Sequence, residues 1–461
     1  MIELIQGGMG VGVSNWRLAK AVAKEGQKLN ENVLGVVSGT GLSPILTSRI
    51  RAGDTNTLRA LFRFSPRIAR DLMAEYIPGS QKIPPKPEVF VTGSEVIRQK
   101  TANTAIAAAF VEVALAKEGH DGPIGINILE KTQLSNIFTI LGAMLADVDY
   151  VLVGAGIPYQ IPEILNNFAN HDAATYKVDI AGSSEKINIT IDPKDYIAEG
   201  KILKRPQFLL IASQHILPMR LDADGFIIEG SSAGGHNAPA RSKMVDDDGQ
   251  PIYTAKDAAD LVKLAALGRP FWLAGSYGNP DKLIEAQGLG ATGVQVGSAF
   301  ALCAESGLET SVKLELLKKI KDGTLEIKTS TVASPSGYPF QVAQLEGTLS
   351  ENKVFKDRIR ICNFGHLVEA YIGADGEIGF RCPAEPVDAY VKKGGDPKNT
   401  EGKVCLCNGL GATAGYGLMT ANGPEPMIVT LGKDLSFAQR LNVGPDGMYS
   451  AANVVRYMFG K

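Results

Sequence analysis

The chain has 461 residues, 44% hydrophobic and 21% charged, a globular composition with ample material for a large core. Forty-seven Lys and Arg against 49 Asp and Glu leave a formal charge of −2, so a nucleic-acid partner is not expected. No apolar run reaches the ~20 residues of a membrane span, the opening MIELIQGGMG lacks a signal peptide's basic segment, and five cysteines are too few for a secreted disulfide scaffold. The cytoplasm is therefore the expected compartment.

In chain order, ELIQGG (3–8) reads as a strand ending in glycines. Ser14 or Asn15 caps the helix NWRLAKAVAKEG, with Gly26 as its expected stop. NVLGVVSGT (32–40) is a second strand. Residues 42–88 read as a helical insertion closing on a proline-rich loop. A helix over 101–119 leads to the strand PIGINIL (123–129), and another helix to DYVLVGAG (149–156). Residues 176–192 read as an inserted β-hairpin. The strands QFLLIAS (207–213), GFIIE, PFWLAGS (270–276) and TGVQVGSAF (292–300) follow.

Those are eight short, continuously apolar strands with mostly helical links, the pattern of parallel strands buried on both faces. An α/β class and a (β/α)8 barrel are expected, with insertions near 42–88 and 159–206. An open dinucleotide-binding sheet is disfavoured, because GGMGVG lacks the G-x-G-x-x-G spacing. The barrel is placed at residues 1–306. An amphipathic helix, VKLELLKKIKDG, then opens a region (307–461) whose later part is rich in Gly, Pro and turns and packs on the barrel.

Glycines recur where the barrel strands end, and that end of a barrel carries function. Gly275-Ser276 and Gly297-Ser298 occupy corresponding places after the last two strands, the usual phosphate site of such barrels. Asn279 is an N-cap and Pro280 fits the first helical turn after it. In EGSSAGGHNAPAR (229–241), Gly234 and Gly235 permit close backbone approach to a ligand, and His236 then projects into the same cavity. Imidazole is the commonest proton-transfer group near neutrality. Asn127 sits inside an apolar strand and needs partners that a ligand ring edge could supply. Glu229 ends its strand facing either sugar hydroxyls or an ion-pair partner. Of the other histidines, His120 and His171 lie in polar stretches, and His215 follows the fifth strand.

Four of the five cysteines, Cys362, Cys382, Cys405 and Cys407, fall beside turn-formers in the C-terminal region. Four thiolates suit a structural Zn²⁺ or an Fe–S cluster, and His366 could replace one of them. Their spacing is not a standard one for either, so four reduced thiols are the alternative. Cys303 reads as barrel packing.

IQGGMG, GINIL, GAGIP, EGSSAGGH, LAGS and GVQVGSAF, in this order over about residues 1–305, resemble the nitronate monooxygenase (2-nitropropane dioxygenase) family. They are also similar to the FMN-dependent enoyl-acyl-carrier-protein reductases. GVVSGTGLSP is similar to the trans-acting enoyl reductases of polyunsaturated fatty-acid synthases. The resemblance implies a barrel holding FMN, with Gly8 and Met9 by the flavin ring and Asn127 at its edge. It implies that Gly234, Gly235, Gly275, Ser276, Gly297 and Ser298 cradle the phosphate, and that His236 is the catalytic histidine. The family usually has glycine where Ser276 stands and GHxG where this chain has GHNA. Nitronate oxidation with oxygen is the first expectation. An NAD(P)H-dependent enoyl-thioester reductase, with an acyl-carrier protein as partner, is the second, and a flavin-holding accessory subunit the third. A homodimer is left open.

Overall fold

The computed structural model describes residues 1–198, 200–420, 423–441 and 443–461. Eight parallel strands close into a barrel: β1 (Leu4–Gln6), β2 (Val33–Ser38), β3 (Ile124–Leu129), β4 (Tyr150–Gly154), β5 (Gln207–Ala212), β6 (Gly225–Glu229), β7 (Phe271–Ala274) and β8 (Gly293–Val296). Leu4 lies beside both Val33 and Val294, which closes the ring. All eight strands expected from the apolar runs are the barrel strands, so the (β/α)8 reading holds.

Alternation along each strand divides two cores. Ile5, Leu34, Val36, Leu152, Leu209 and Trp272 fill the barrel interior. Leu4, Val33 and Val37 point outward under the helices. The helix Trp16–Leu29 is capped by Asn15, whose side chain accepts from the Arg17 and Leu18 amides. It does not stop at Gly26 as expected. A Cβ there would fall 2.7 Å from Val33 Cβ, so this glycine serves close helix–strand packing. The stop is Asn30, in the left-handed conformation (φ 57°).

The insertion after β2 is three helices, Leu42–Arg51, Thr55–Phe64 and Pro66–Glu75, and the proline-bearing loop follows. The expected hairpin is Ala174–Ala181 with Lys186–Ile191. Tyr176, Val178 and Ile180 are buried while Lys177 and Asp179 are exposed, as a one-sided strand requires. Glu369–Ile372 joins it in parallel, Ala370 beside Ile180, and Ile378–Arg381 completes a four-stranded sheet.

The C-terminal region also packs on the barrel at other points. Its last helix, Ala451–Met458, lies on Trp16–Leu29, and Val454, Val455 and Met458 enter the same core as the barrel helices. Tyr449 Oη donates to the Ala299 carbonyl at 2.7 Å. A smaller cluster of its own holds Phe340, Val342, Leu349, Val404, Leu406 and Ile428. No helix among the described residues is long and apolar enough to cross a membrane.

Candidate functional site

A cavity of about 430 Å³ opens at the C-terminal ends of the strands. Every catalytic and cofactor-binding residue expected from the sequence lines it: Gly8, Met9 and Asn127 from the first and third strand ends, Glu229, Gly234, Gly235 and His236 from the sixth, and Gly275, Ser276, Gly297 and Ser298 from the last two.

The loop after β1 is tied down by polar side chains. Ser14 Oγ accepts from the Met9 amide (2.9 Å) and donates to the Gly7 carbonyl (3.0 Å). Gln6 Oε1 accepts from the Val36 amide at 2.9 Å. Asn15 is therefore the cap and Ser14 the staple of the glycine loop. Asn127 Nδ2 donates to the Gly8 carbonyl at 3.0 Å, and a Cβ on Gly8 would sit 2.3 Å from Asn127 Cβ. Asn127 thus holds the glycine turn as well as facing the cavity.

After β7 the backbone takes two consecutive left-handed residues, Gly275 (φ 87°) and Ser276 (φ 63°). Only glycine adopts that conformation freely, which accounts for glycine being usual at the second position in the resembling family. Ser276 Oγ donates to Ser232 Oγ at 2.8 Å.

His236 is pressed between barrel and C-terminal region. Its Nε2 lies 2.8 Å from Ser334 Oγ, and the Phe340 ring meets it edge-on at 5.0 Å. The Gln341 amide donates to the Gly235 carbonyl (2.9 Å) and the Asn237 amide to the Pro339 carbonyl (2.8 Å). Burial pulls the imidazole down to about 4, so it is neutral at physiological pH. Asn237 turns inward and donates to the Ala233 carbonyl at 3.0 Å. Burial also pushes the Glu229 carboxyl up to about 7, and among the described residues its side chain has no hydrogen-bond partner. Of its two sequence alternatives, the ion pair is not formed.

Two acceptors in the cavity wall are buried without partners, Gln295 Oε1 and Asn237 Oδ1. Gln295 escaped the sequence reading, although a polar residue inside the apolar strand GVQV is the same signal that marked Asn127. Ser334, Gln341, Thr430 and Gly432 also escaped it, and they carried no local signal. The three remaining histidines lie elsewhere. His120 Nε2 meets the Ala116 carbonyl, His171 accepts from the Leu203 amide, and His215 Nδ1 accepts from the Asp260 amide.

The four C-terminal cysteines are free thiols: Cys362 meets Cys382, Cys405 meets Cys407, and Cys405 also lies within electrostatic reach of Cys362 and Cys382. His366 is turned instead into a small pocket among Pro84, Pro85, Pro87 and Phe90. Among the described residues no three His, Cys, Asp or Glu side chains converge to hold a metal ion.

A sequence model described as nitronate monooxygenase matches residues 161–346, the stretch that carries β5 to β8 and their loops. The resemblance read from the motifs is borne out. A curated Mycobacterium tuberculosis protein, (3aS,4S,5R,7aS)-5-hydroxy-7a-methyl-1-oxo-octahydro-1H-indene-4-carboxyl-CoA dehydrogenase, is 30% identical over 124 residues, 27% of this chain. The match spans only 30% of that relative's length. Among solved structures, FabK from Thermotoga maritima aligns with all of this chain and 92% of its own, at 15% identity and TM-score 0.47. The nitroalkane oxidase of Streptomyces ansochromogenes aligns with all of this chain and 95% of its own, at 14% identity and TM-score 0.45.

Proposed function

We propose that this chain is an FMN-dependent oxidoreductase that reduces an enoyl thioester with NAD(P)H. The residues fit the cofactor. Left-handed backbone at Gly275 and Ser276, with hydroxyls at Ser232 and Ser298, supplies neutral donors where a barrel usually holds phosphate. The orphaned Gln295 Oε1 could accept from a ring N–H, and the partnerless Glu229 carboxyl from sugar hydroxyls. When bound, FMN supplies two-electron redox chemistry.

The observation that carries the substrate reading is the charge of the wall. Among the described residues lining it, the acids and bases that titrate below pH ~9 are Glu229, Asp434 and His236, and there is no Lys or Arg. A nitronate is an anion and would find no cationic partner there beside the phosphate. The reacting enoyl-thioester group, by contrast, is neutral. His236, neutral to about pH 4, suits orienting a carbonyl by hydrogen bonding better than removing a proton from a carbon acid, which calls for a base tuned near the working pH. The carboxyl-CoA named for the curated relative supports a thioester as well.

The second reading is nitronate oxidation, favoured by the family whose model matches. Flavin released by denaturation should chromatograph as FMN. Anaerobically, NADPH should bleach the bound flavin and crotonyl-CoA restore its colour. Bleaching by a nitronate, with no response to NADPH, would reverse the order of the two readings. No response to either reductant would favour the accessory-subunit alternative.

A further inference from the structure

We infer that Thr430, on the C-terminal loop over residues 428–434, is a phosphate-contacting residue of the cofactor site, an inference that rests on the FMN reading above. The loop reaches the cavity from far along the chain. Thr430 Oγ1 accepts from the Gly235 amide at 2.8 Å across 195 residues, and the Gly432 amide donates to Ser298 Oγ at 2.8 Å across 134. The Lys433 amide donates to the Ser232 carbonyl at 2.9 Å.

These bonds change which donors remain for a ligand. Gly235 N–H, expected in the phosphate cradle, is already given to Thr430. A threonine hydroxyl has one donor and two acceptor positions. Having accepted from Gly235, it keeps its own O–H, which no acceptor among the described residues engages. Thr430 therefore replaces the donor that it takes. Ser298 is placed the same way, accepting from Gly432 with its own O–H left to donate. Both line the cavity.

The loop is fixed by backbone-to-backbone packing. A Cβ on Gly234 would stand 3.0 Å from the Gly432 nitrogen, and one on Gly432 would stand 2.9 Å from the Ser232 carbonyl oxygen. Gly234 thus makes room for this chain's own loop, whereas a Cβ on Gly235 would meet nothing within 4 Å. With no Lys or Arg in the wall among the described residues, the phosphate charge has to be met by neutral donors, and a hydrogen bond to a charged acceptor is among the stronger ones.

The test uses the full chain stripped of flavin. FMN and riboflavin, which lacks the phosphate, are each titrated by fluorescence quenching into wild type, Thr430→Ser and Thr430→Val. Thr430→Val should weaken FMN by ~10–100-fold and leave riboflavin unchanged, and Thr430→Ser should restore FMN to near wild type. Equal binding of FMN by Thr430→Val and wild type, or equal loss of both flavins, would overturn the inference. If circular dichroism shows that Thr430→Val does not fold, Thr430→Cys, a weak donor of similar size, carries the same comparison. Failure of wild type to bind FMN would instead remove the cofactor reading on which the inference stands.

Discussion

His236 and Ser334 meet at 2.8 Å, Nε2 to Oγ, across 98 residues of sequence, so the barrel's one cavity-facing histidine among the described residues is positioned from outside the barrel. Ser334 is itself held, its hydroxyl 2.7 Å from that of Ser336 and its carbonyl accepting from Lys403 Nζ at 2.9 Å. The C-terminal region is therefore part of the site's wall.

His236→Ala should keep flavin bound and slow reoxidation of the reduced flavin by crotonyl-CoA by ~10²–10³-fold, the usual worth of a positioned hydrogen-bond donor at a reacting carbonyl. Because the imidazole titrates near 4, no inflection from it should appear around its ordinary 6.5. Activity dependent on neutral His236 is lost only as pH falls through about 4. Stopped-flow reoxidation of the NADPH-reduced flavin by crotonyl-CoA across that range checks both points, and a rate unchanged in the variant would remove His236 from the chemistry.

Glu229 sets a pH dependence in the flavin-free protein. Its folded value near 7 lies above its ordinary 4.5, so between these values the folded state keeps a proton that the unfolded state has lost. Stability contributed by the neutral acid is fully present below about 4.5 and lost as pH rises through about 7. Glu229→Gln should therefore melt higher than wild type above pH ~7, with the gap closing towards pH ~4.5. Thermal melts at several pH values measure this, and a constant difference between the two proteins would contradict it.

Arg49 and Glu112 form a buried ion pair at 2.5 Å. Burial pulls the guanidinium down, but Glu112 and Tyr416 outweigh it and the net shift is upward. Glu112 also accepts from the Trp16 amide at 2.7 Å, and Tyr416 brings in the C-terminal region. Removing one partner strands a buried charge, so Glu112→Ala should cost ~3–5 kcal/mol by urea unfolding. Replacing both residues by apolar ones of similar size should cost much less.

Cys362 is the half-buried thiol whose pKa is held below the ordinary value, chiefly by its contact with Cys382 and partly by Lys86. It should react first with a thiol reagent in the folded protein, and Cys362→Ser should abolish that fast phase. Elemental analysis of anaerobically purified protein for zinc and iron tests the alternative in which these thiols hold a metal.

The barrel was legible because each strand is a continuous apolar run and strand ends are marked by glycine, both local signals. Asn127 and His236 were legible as polar residues out of place in their surroundings. Gly26 and Gly234 show the limit. Glycine announces a close approach without saying what approaches, a strand in the first case and a distant loop in the second. Cysteine composition likewise carried no information on how the sulfurs converge. Thr430 and Ser334 are ordinary polar residues in turn-rich sequence, and only the folded chain brings Thr430 to the cavity and Ser334 to His236.

The four-stranded sheet gives the chain a timetable. Ile180, on the inserted hairpin, faces Ala370, about 190 residues downstream. At ~5–20 residues per second of synthesis, the hairpin's outer edge stands bare for ~10–40 seconds after it leaves the ribosome. Thr430 and Gly432 emerge later still, so the vessel is finished only once they have been made. Loading of its contents belongs after that point, and a nascent chain arrested after β8 would carry a barrel with an unroofed mouth and an unpaired, aggregation-prone edge.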